Sequence, residues 1–321
     1  MKNQKSTQVI SYMAMWLLAS AFIANSAHAF FENAFTPEDD FSYGSVQSGV
    51  KASKSDCVKG RADAVWTDPD NRGKPAGCLK YWHSGLREVN DRVILFMHGD
   101  IRKTDLGYQK LSSDALNEMV SKRSTDFSAP YIFLGRPGTH GSSGNHGVRR
   151  TLEEVGMVNA AIDQLKKRYA IKEFVIAGQS GGGFLTAAII NFRSDIYCAV
   201  PTSAPASPRV RYTQMGRSTD TTDRADSYEP TQDTLKAKPH ERLRVIILGD
   251  ENDTNVFWSS QIILSKHLTQ NQIEHSVIKG EGVGDARHGL NRSANLVASW
   301  CFNGRSLQQI NDLFATRKPK G

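Results

Sequence analysis

The feature that most constrains the fold is the sequence GQSGG at residues 178–182, together with its flanks. It follows an apolar run at 174–177 and precedes an apolar, helix-like run at 184–190. This order predicts a strand, a sharp turn and a helix, with Ser180 at the apex of the turn. The flanking glycines let the helix and the strand approach closely, while the strained turn lifts the serine hydroxyl out of the sheet. The pattern therefore predicts a nucleophilic serine, with the backbone N–H of Gly181 facing a developing oxyanion.

A serine hydroxyl is a weak nucleophile unless a neutral histidine takes its proton during attack. A strand-like run at 275–279 leads into a glycine-rich stretch at 280–289 that contains His288. The residue type and its place after a strand make His288 the predicted general base for Ser180.

A carboxylate is needed to fix the tautomer of the base, and a carboxylate-rich loop lies between the serine and the histidine. The buried, strand-like run at 243–248 ends in a loop that carries Asp250, Glu251 and Asp253. Asp250 and Asp253 are both candidates for the acid. If Asp253 is the acid, then Asp250, like Glu251 and Asp285, is expected to be a solvated loop charge.

The order serine, aspartate, histidine on loops after successive strands resembles the α/β-hydrolase superfamily. Residues 92–100 (RVILFMHGD) are similar to the third strand of that fold and its His-Gly turn, and residues 131–144 are similar to the fourth strand and its Arg-Pro-Gly loop. Within the superfamily, the chain looks most like secreted bacterial esterases and prolyl-oligopeptidase-like serine hydrolases.

The resemblance implies a set of site residues. Asp253 lies three residues before Val256, which matches the D-x-x-V spacing of the family, so the resemblance favours Asp253 over Asp250 as the acid. It also implies that the N–H of Asp100 is the second oxyanion donor, beside that of Gly181. The predicted catalytic residues are then Ser180, Asp253 and His288.

Strand-like and helical patterns alternate along most of the chain, and residues 30–60 look polar and irregular. A predicted helix at 152–169 has an apolar stripe formed by Leu152, Val155, Val158, Ile162, Leu165 and Tyr169. Strands are predicted near 63–68, 78–83, 92–98, 131–135, 173–178, 197–202, 243–249 and 275–279. This alternation predicts an α/β fold, the α/β-hydrolase fold, with a mostly parallel eight-stranded sheet and helices on both faces.

The remaining histidines suggest no metal chemistry. His98 is expected to organise the oxyanion turn through a backbone hydrogen bond. His140 and His146 flank a Gly/Ser-rich loop, where each is either a substrate contact or an exposed residue without a role. No histidine pair has the spacing of a zinc site, so we predict neither a metal nor another cofactor.

The amino terminus resembles a secretory signal. Lys2 and Lys5 precede an apolar core at about 13–23, and an A-x-A cleavage signal ends at Ala29. The apolar segment falls short of the roughly 20 residues that span a bilayer. We therefore predict a signal peptide at residues 1–29, no stable membrane anchor, an exported protein that is periplasmic or secreted, and a single domain at 30–321.

Four cysteines, Cys57, Cys78, Cys198 and Cys301, lie after the predicted cleavage site. An exported protein can form disulfides. Cys57 and Cys78 bracket a short segment, and pairing them leaves Cys198 and Cys301 for each other. We favour that arrangement, with buried free thiols as the alternative.

Residues 204–241 are polar and interrupted by four prolines, so we predict a loop or a small lid with little helical periodicity. The segment has few large apolar residues, which distinguishes it from the lid of an interfacially activated lipase. A surface excursion and a substrate gate are both compatible with this pattern.

The formal net charge is +7, and it falls to +5 once Lys2 and Lys5 are removed. No basic stripe with interleaved aromatic residues is present, so nucleic-acid binding is not predicted. We expect an exported serine hydrolase that cleaves a carboxylic ester, acting on a small-molecule ester or a short peptide. The alternatives are a small-peptide, prolyl-oligopeptidase-like peptidase and a non-catalytic binding protein on the same fold. The sequence does not indicate an oligomeric state.

Overall fold

The computed structural model describes residues 33–34, 41–60, 63–68, 76–102, 105 and 107–321. Residues Glu32–Gly321 form one compact unit. The predicted signal peptide, residues 1–29, lies outside the described residues. Among the described helices, none combines the length and the apolar composition that a membrane crossing requires.

The strands of the main sheet are apolar runs that end at turns. They are β3 (Ala64–Thr67), β4 (Gly77–Ser84), β5 (Asn90–Met97), β6 (Tyr131–Leu134), β7 (Ile171–Gln179), β8 (Ile196–Thr202), β9 (Arg244–Gly249) and β10 (Glu274–Lys279), while β1 (Asn33–Ala34) and β2 (Val50–Lys51) pair separately. Each strand of the main sheet lies within two residues of its predicted bounds.

The main sheet has eight strands in the order β10-β9-β8-β7-β5-β6-β4-β3. The six strands β10, β9, β8, β7, β5 and β6 are each parallel to their neighbours among these six. Strand β4 is antiparallel to both β3 and β6. All seven residues of β8 are buried, as expected for a parallel strand covered on both faces. The predicted mostly parallel, eight-stranded sheet is confirmed.

Helices cover both faces of this sheet. They are α1 (Tyr43–Ser48), α2 (Lys54–Gly60), α3 (Ser113–Phe127), α4 (Leu152–Arg168), α5 (Gly181–Ile189), α6 (Pro208–Gln214), α7 (Trp258–Gln270), α8 (Asn291–Phe302) and α9 (Leu307–Arg317). Residues of α4, α5 and α7 share one hydrophobic cluster with the sheet, and residues of α3, α8 and α9 share another. The predicted covering of both faces is thus confirmed.

Helix α4 follows directly from its sequence. The side chain of Thr151 caps its first turn by accepting from the N–H of Glu154, and basic residues occupy its last turn, as the helix dipole favours. The residues Val155, Val158, Ile162 and Leu165 of the predicted stripe are fully buried, but Leu152 is exposed because it begins the helix at the protein surface.

The prediction that residues 30–60 are irregular is wrong for part of this range. Helix α1 forms because Ser42 caps it by accepting from the N–H of Ser45, and Gly49, with φ 81°, ends it. This helix is too short to show the apolar periodicity by which longer helices are predicted. Only its capping residue and its terminal glycine mark it in the sequence.

Both predicted disulfides are present. Cys57–Cys78 joins α2 to β4, and Cys198–Cys301 joins β8 to α8. The second bridge therefore connects the sheet to a helix that covers it.

Candidate active site

Ser180 lies between β7 and α5 with φ 57° and ψ −118°, a region that non-glycine residues rarely adopt. Two backbone hydrogen bonds fix the turn: the N–H of Ser180 donates to the carbonyl of Thr202 at 2.8 Å, and the N–H of Phe184 donates to the carbonyl of Ser180 at 2.9 Å. Because β8 and α5 both hold it, the strained conformation is maintained and Ser180 faces a cavity.

The glycines of the turn are required by close backbone approach. A Cβ atom on Gly182 would lie 2.1 Å from the carbonyl oxygen of Met97, and one on Gly181 would lie 2.0 Å from Oδ1 of Asp100. The first contact fixes how closely α5 approaches β5. The second shows that the Asp100 side chain lies directly beside the first residue of α5.

His288 is held by Asp253 across the carboxyl ends of β9 and β10. Its Nδ1 lies 2.7 Å from Oδ2 of Asp253. The other carboxylate oxygen, Oδ1, accepts from the N–H groups of Asn255 and Val256 at 2.8 and 2.9 Å. A carboxylate can only accept, so Nδ1 carries the proton and Nε2 is left free to accept one.

Asp250 contacts the loop that carries His288 and not the imidazole itself. Its Oδ2 accepts from the N–H of Gly282 at 2.8 Å and from Nε of Arg287 at 2.9 Å. Burial opposes its ionisation, but hydrogen bonds from Asn252 and Gly282 and the Arg287 guanidinium hold the pKa of Asp250 below its ordinary value. The prediction that Asp250 is a solvated loop charge is wrong, because its side chain is buried. Glu251 and Asp285 are exposed.

The backbone of His288 is tied to the serine turn. Its carbonyl accepts from Nε2 of Gln179 at 2.9 Å and from Oγ of Ser203 at 3.0 Å. No sequence pattern indicates this role for either residue, although Gln179 is the second residue of the glycine-rich motif. They connect the carboxyl ends of β7 and β8 to the histidine loop.

Ser180 and His288 line the same cavity, but no hydrogen bond joins them. Nε2 of His288 is buried and has no hydrogen-bond partner within the described chain. Catalytic hydrogen bonds often tighten only when substrate is bound. The free nitrogen is therefore available to accept a proton from a group in the cavity.

The two predicted oxyanion donors lie side by side, with Asp100 following β5 and Gly181 beginning α5. Neither backbone N–H donates a hydrogen bond to any of the described residues. The Asp100 carboxylate is fixed by Arg136 at 2.9 Å, by Arg149 at 3.3 Å and by Arg150. The three guanidinium groups outweigh the opposing effect of burial and hold the pKa of Asp100 well below its ordinary value.

Two of these arginines are almost fully buried. Arg136 also binds Glu154 at 2.7 Å, and Nε of Arg150 donates to Asp220 at 2.9 Å. Burial disfavours their charge, but the paired carboxylates raise the pKa of both guanidinium groups. This network could not be predicted from the sequence, because no pattern indicates that residues as far apart as Arg150 and Asp220 are in contact.

The histidines of this region are buried. The predicted backbone bond of His98 is confirmed, since its Nδ1 donates to the carbonyl of Gly99 at 2.6 Å. The alternative of an exposed loop is wrong for His140 and His146, which are 2% and 1% exposed because the loop folds inward against aromatic side chains and Ile101. Of the two, His140 lines the cavity. Burial, followed by repulsion from Arg136, lowers the pKa of His140 to about 3.

The cavity has a volume of about 830 Å³ and walls of two kinds. The apolar wall comes mainly from β5, β6, α3 and the loop before it, and contains Phe96, Leu111, Leu116, Met119 and Phe133. The polar wall contains Arg149, Arg150, Arg211, Thr221 and Asn255. Ser180 and His288 line the same space.

Segment 204–241 forms part of the polar wall. It contains α6, and the structure gives no other helix or strand to this fully described segment. Asp220 anchors it to Arg150, and the carbonyl of Pro230 accepts from Nδ2 of Asn191 at 2.9 Å. These polar contacts, together with Tyr228 and Leu235, which pack against the hydrophobic core, attach the segment to the rest of the protein.

Metal ligation finds no support in this site. The part of the chain that the structure describes has no group of three or more histidine, cysteine, aspartate or glutamate side chains that could hold a metal ion.

Comparisons with known proteins agree with this architecture. Residues 151–300 match the model of the prolyl oligopeptidase family, Peptidase_S9. An esterase from Pyrococcus furiosus is similar in structure, with a TM-score of 0.51 and 13% identity over 80% of this chain and 97% of that chain. Prolyl oligopeptidase B from Galerina marginata has a TM-score of 0.50 and 15% identity over 74% of this chain and 36% of that chain.

An acylaminoacyl peptidase in complex with Z-Gly-Gly-Phe-chloromethyl ketone has a TM-score of 0.48 and 13% identity over 77% of this chain. This chain spans 41% of that peptidase. The comparison with curated proteins finds no significant match.

The chain has the α/β-hydrolase fold, and the predicted resemblance to esterases and prolyl-oligopeptidase-like hydrolases is confirmed. The family match covers the part of the chain that contains the serine turn, Asp253 and His288. It supports a serine hydrolase of the esterase or peptidase kind.

Proposed function

We propose that this protein is an exported serine hydrolase that cleaves a carboxylic ester through an acyl-enzyme intermediate. The observation that carries the proposal is the position of His288. Asp253 fixes its Nδ1, its Nε2 is unpartnered, and the strained Ser180 lies in the same cavity. This arrangement is what a serine nucleophile requires from its base.

In the proposed mechanism, Nε2 of His288 accepts the hydroxyl proton as Oγ of Ser180 attacks the ester carbonyl. The Asp253 carboxylate stabilises the resulting imidazolium. The N–H groups of Gly181 and Asp100 donate to the tetrahedral oxyanion. The imidazolium then protonates the leaving alcohol, and a water molecule, activated by the same nitrogen, hydrolyses the acyl-enzyme.

The choice of an ester over a peptide rests on the extent of the structural similarity. This chain covers 97% of the Pyrococcus furiosus esterase but only 36% of the fungal prolyl oligopeptidase. The described domain is thus comparable in extent to a whole esterase, whereas most of the oligopeptidase has no counterpart in it. The match to the prolyl oligopeptidase family keeps a small-peptide amide as the second candidate.

Labelling with a fluorophosphonate tests the nucleophile. We expect Ser180→Ala to abolish labelling, while Ser218→Ala, which changes an exposed serine, leaves it intact. Labelling that persists in Ser180→Ala would contradict the assignment.

Turnover of aryl esters of increasing chain length, compared with aminoacyl arylamides, then separates an esterase from a peptidase. We expect turnover of the esters and little or none of the arylamides. Turnover of neither class would favour the alternative of a binding protein on the hydrolase fold.

Export is part of the proposal. The disulfides Cys57–Cys78 and Cys198–Cys301 are consistent with an oxidising compartment, which is periplasmic or extracellular in the proposal. Intact-mass analysis of the native protein is expected to give a chain that begins at Phe30 and has no alkylatable thiol before reduction. Retention of residues 1–29 would contradict cleavage of the signal peptide. Alkylation of four thiols before reduction would contradict the disulfides.

A further inference from the structure

Arg211 differs from the other buried arginines of the cavity because it has no carboxylate partner. It is only 7% exposed, and its Nε and Nη2 donate to the backbone and side-chain oxygens of Asn255 at 2.9 and 2.7 Å. Its Nη1 makes no hydrogen bond, and no carboxylate lies within ion-pair distance among the described residues. Arg136 and Arg150, in contrast, each contact two carboxylates.

A buried guanidinium without a counter-ion is unfavourable, because neutral oxygens replace only part of its lost hydration. Burial, followed by repulsion from Arg150, lowers the pKa of Arg211. An anion bound beside Arg211 would remove this penalty.

The cavity as a whole has a surplus of positive charge. Its described lining contains four arginines, Arg102, Arg149, Arg150 and Arg211, and two aspartates, Asp100 and Asp105. Arg102 pairs with Asp105, and Arg150 pairs with Asp220, which is not part of the lining. Asp100 is already shared among Arg136, Arg149 and Arg150. Among the described lining arginines, Arg211 is therefore the one without a carboxylate partner, and an anionic group of a ligand can approach it from the cavity.

We infer that Arg211 binds a carboxylate of the substrate, so that the substrate class is esters that carry a free carboxylate close to the scissile bond. The inference rests on the proposed hydrolase function. A guanidinium group presents planar N–H donors that match a carboxylate, and such charge-assisted hydrogen bonds are stronger than neutral ones. The two N–H groups of Nη1 and the second N–H of Nη2 have no partner among the described residues and remain available.

The position of Arg211 connects this group to the catalytic residues. Asn255, which binds the guanidinium, also donates its N–H to Oδ1 of Asp253 at 2.8 Å. Arg211 is thus attached to the loop that holds His288, and its side chain lines the same cavity as Ser180. The apolar residues of the same cavity, Phe96, Leu111, Leu116, Met119 and Phe133, fit the apolar part of such a substrate.

Two pairs of substrates test the inference, each pair differing only in one charge. In the first, 4-nitrophenyl hydrogen glutarate and its methyl ester place the charge on the acyl side. In the second, 4-acetoxybenzoate and its methyl ester place it on the leaving-group side. We expect the charged member of at least one pair to have a kcat/KM roughly 10- to 100-fold above its neutral counterpart, the range for one charge-assisted interaction.

Variants then assign this preference to a residue. Arg211→Gln is expected to remove the preference, and Arg211→Lys to retain part of it because the charge is kept. Arg209→Gln is the matched control, since it removes the same charge from an exposed position of α6 and is expected to keep the preference. The ratio within a pair is the readout, so a general loss of activity does not affect the conclusion.

Equal turnover of both members of both pairs, or an unchanged ratio in Arg211→Gln, would overturn the inference while leaving the proposed hydrolase intact. If no ester is turned over, the proposed function fails and calorimetry with glutarate decides the role of Arg211. Binding that weakens about tenfold in Arg211→Gln but not in Arg209→Gln supports the carboxylate site, and absence of binding overturns it.

Discussion

Nδ1 of His288 lies 2.7 Å from Oδ2 of Asp253, whereas Asp250, three residues earlier, binds Arg287 and the backbone of Gly282. Two acidic residues on one loop thus contact the same histidine loop in different ways. Asp253 contacts the imidazole, and Asp250 holds the backbone that carries it.

This difference predicts unequal effects of two matched substitutions. Asp253→Asn is expected to lower kcat by about 10⁴-fold, the loss given for the equivalent change in the serine-protease template, because the amide favours the wrong imidazole tautomer. Asp250→Asn is expected to lower kcat far less, since it loosens only the loop. Steady-state kinetics on an aryl ester measures both, and the reverse ranking would move the role of the acid to Asp250.

The close approach of α5 to β5 predicts that Gly182→Ala destabilises the protein severely. The added methyl group would lie 2.1 Å from the carbonyl oxygen of Met97, which is backbone and cannot move aside. The free energy of unfolding should fall by at least the ~1–3 kcal/mol typical of overpacking. Gly107→Ala, where nothing lies within 4 Å of the added atom, is the control. If urea titrations gave Gly182→Ala and Gly107→Ala similar free energies of unfolding, the close packing of α5 against β5 would be refuted.

Buried His140 predicts a loss of stability in acid. Its folded pKa of about 3 lies below the ordinary value of 6.5, so between these pH values the unfolded chain binds a proton that the folded chain does not. The contribution of neutral His140 to the free energy of unfolding is complete above pH 6.5. As the pH falls towards 3, this contribution is lost at up to ~1.4 kcal/mol per pH unit.

His140→Asn tests this contribution, because asparagine tolerates the left-handed backbone conformation (φ 52°) at this position. Urea titrations from pH 7 to pH 4 are expected to show a shallower fall in the free energy of unfolding for the variant than for the unchanged protein. Parallel curves would mean that His140 takes up a proton in the folded state over this range.

The two disulfides predict losses of stability that differ with loop length. The bridges close segments with sequence separations of 21 and 103 residues. In the chain-entropy model the shorter and the longer bridge raise the free energy of unfolding by about 3 and about 4.7 kcal/mol. The double substitution Cys198→Ala/Cys301→Ala should therefore lower the free energy of unfolding more than Cys57→Ala/Cys78→Ala, as measured by urea titration. The opposite order would show that residual structure or strain outweighs the loop entropy.

Local patterns in the sequence were sufficient for the fold. The eight strands could be located because buried parallel strands are short apolar runs that end at glycine or polar turns. The serine turn could be located because its strand, glycines and helix are adjacent in the chain. Helix α1 was missed, since only a cap and a terminal glycine mark it.

Contacts between distant residues could not be predicted in the same way. Arg150 and Asp220 are 70 residues apart, and no periodicity or motif connects them. His140 looked like an exposed loop residue because burial of a loop depends on what packs against it, here Phe41, Trp82 and Tyr108.

The sequence by itself therefore determined the order of the strands along the chain, the strained serine turn and the succession of candidate residues Ser180, Asp253 and His288. Each of these features is marked by a pattern of neighbouring residues in the chain, which is why the sequence suffices to locate it. The D-x-x-V spacing favours Asp253, but only the tertiary structure shows that Asp253 and not Asp250 contacts His288. It alone shows that Arg211 is buried without a carboxylate partner among the described residues. Such relationships depend on how separate loops meet at the carboxyl edge of the sheet, where distance in space is independent of distance in the chain.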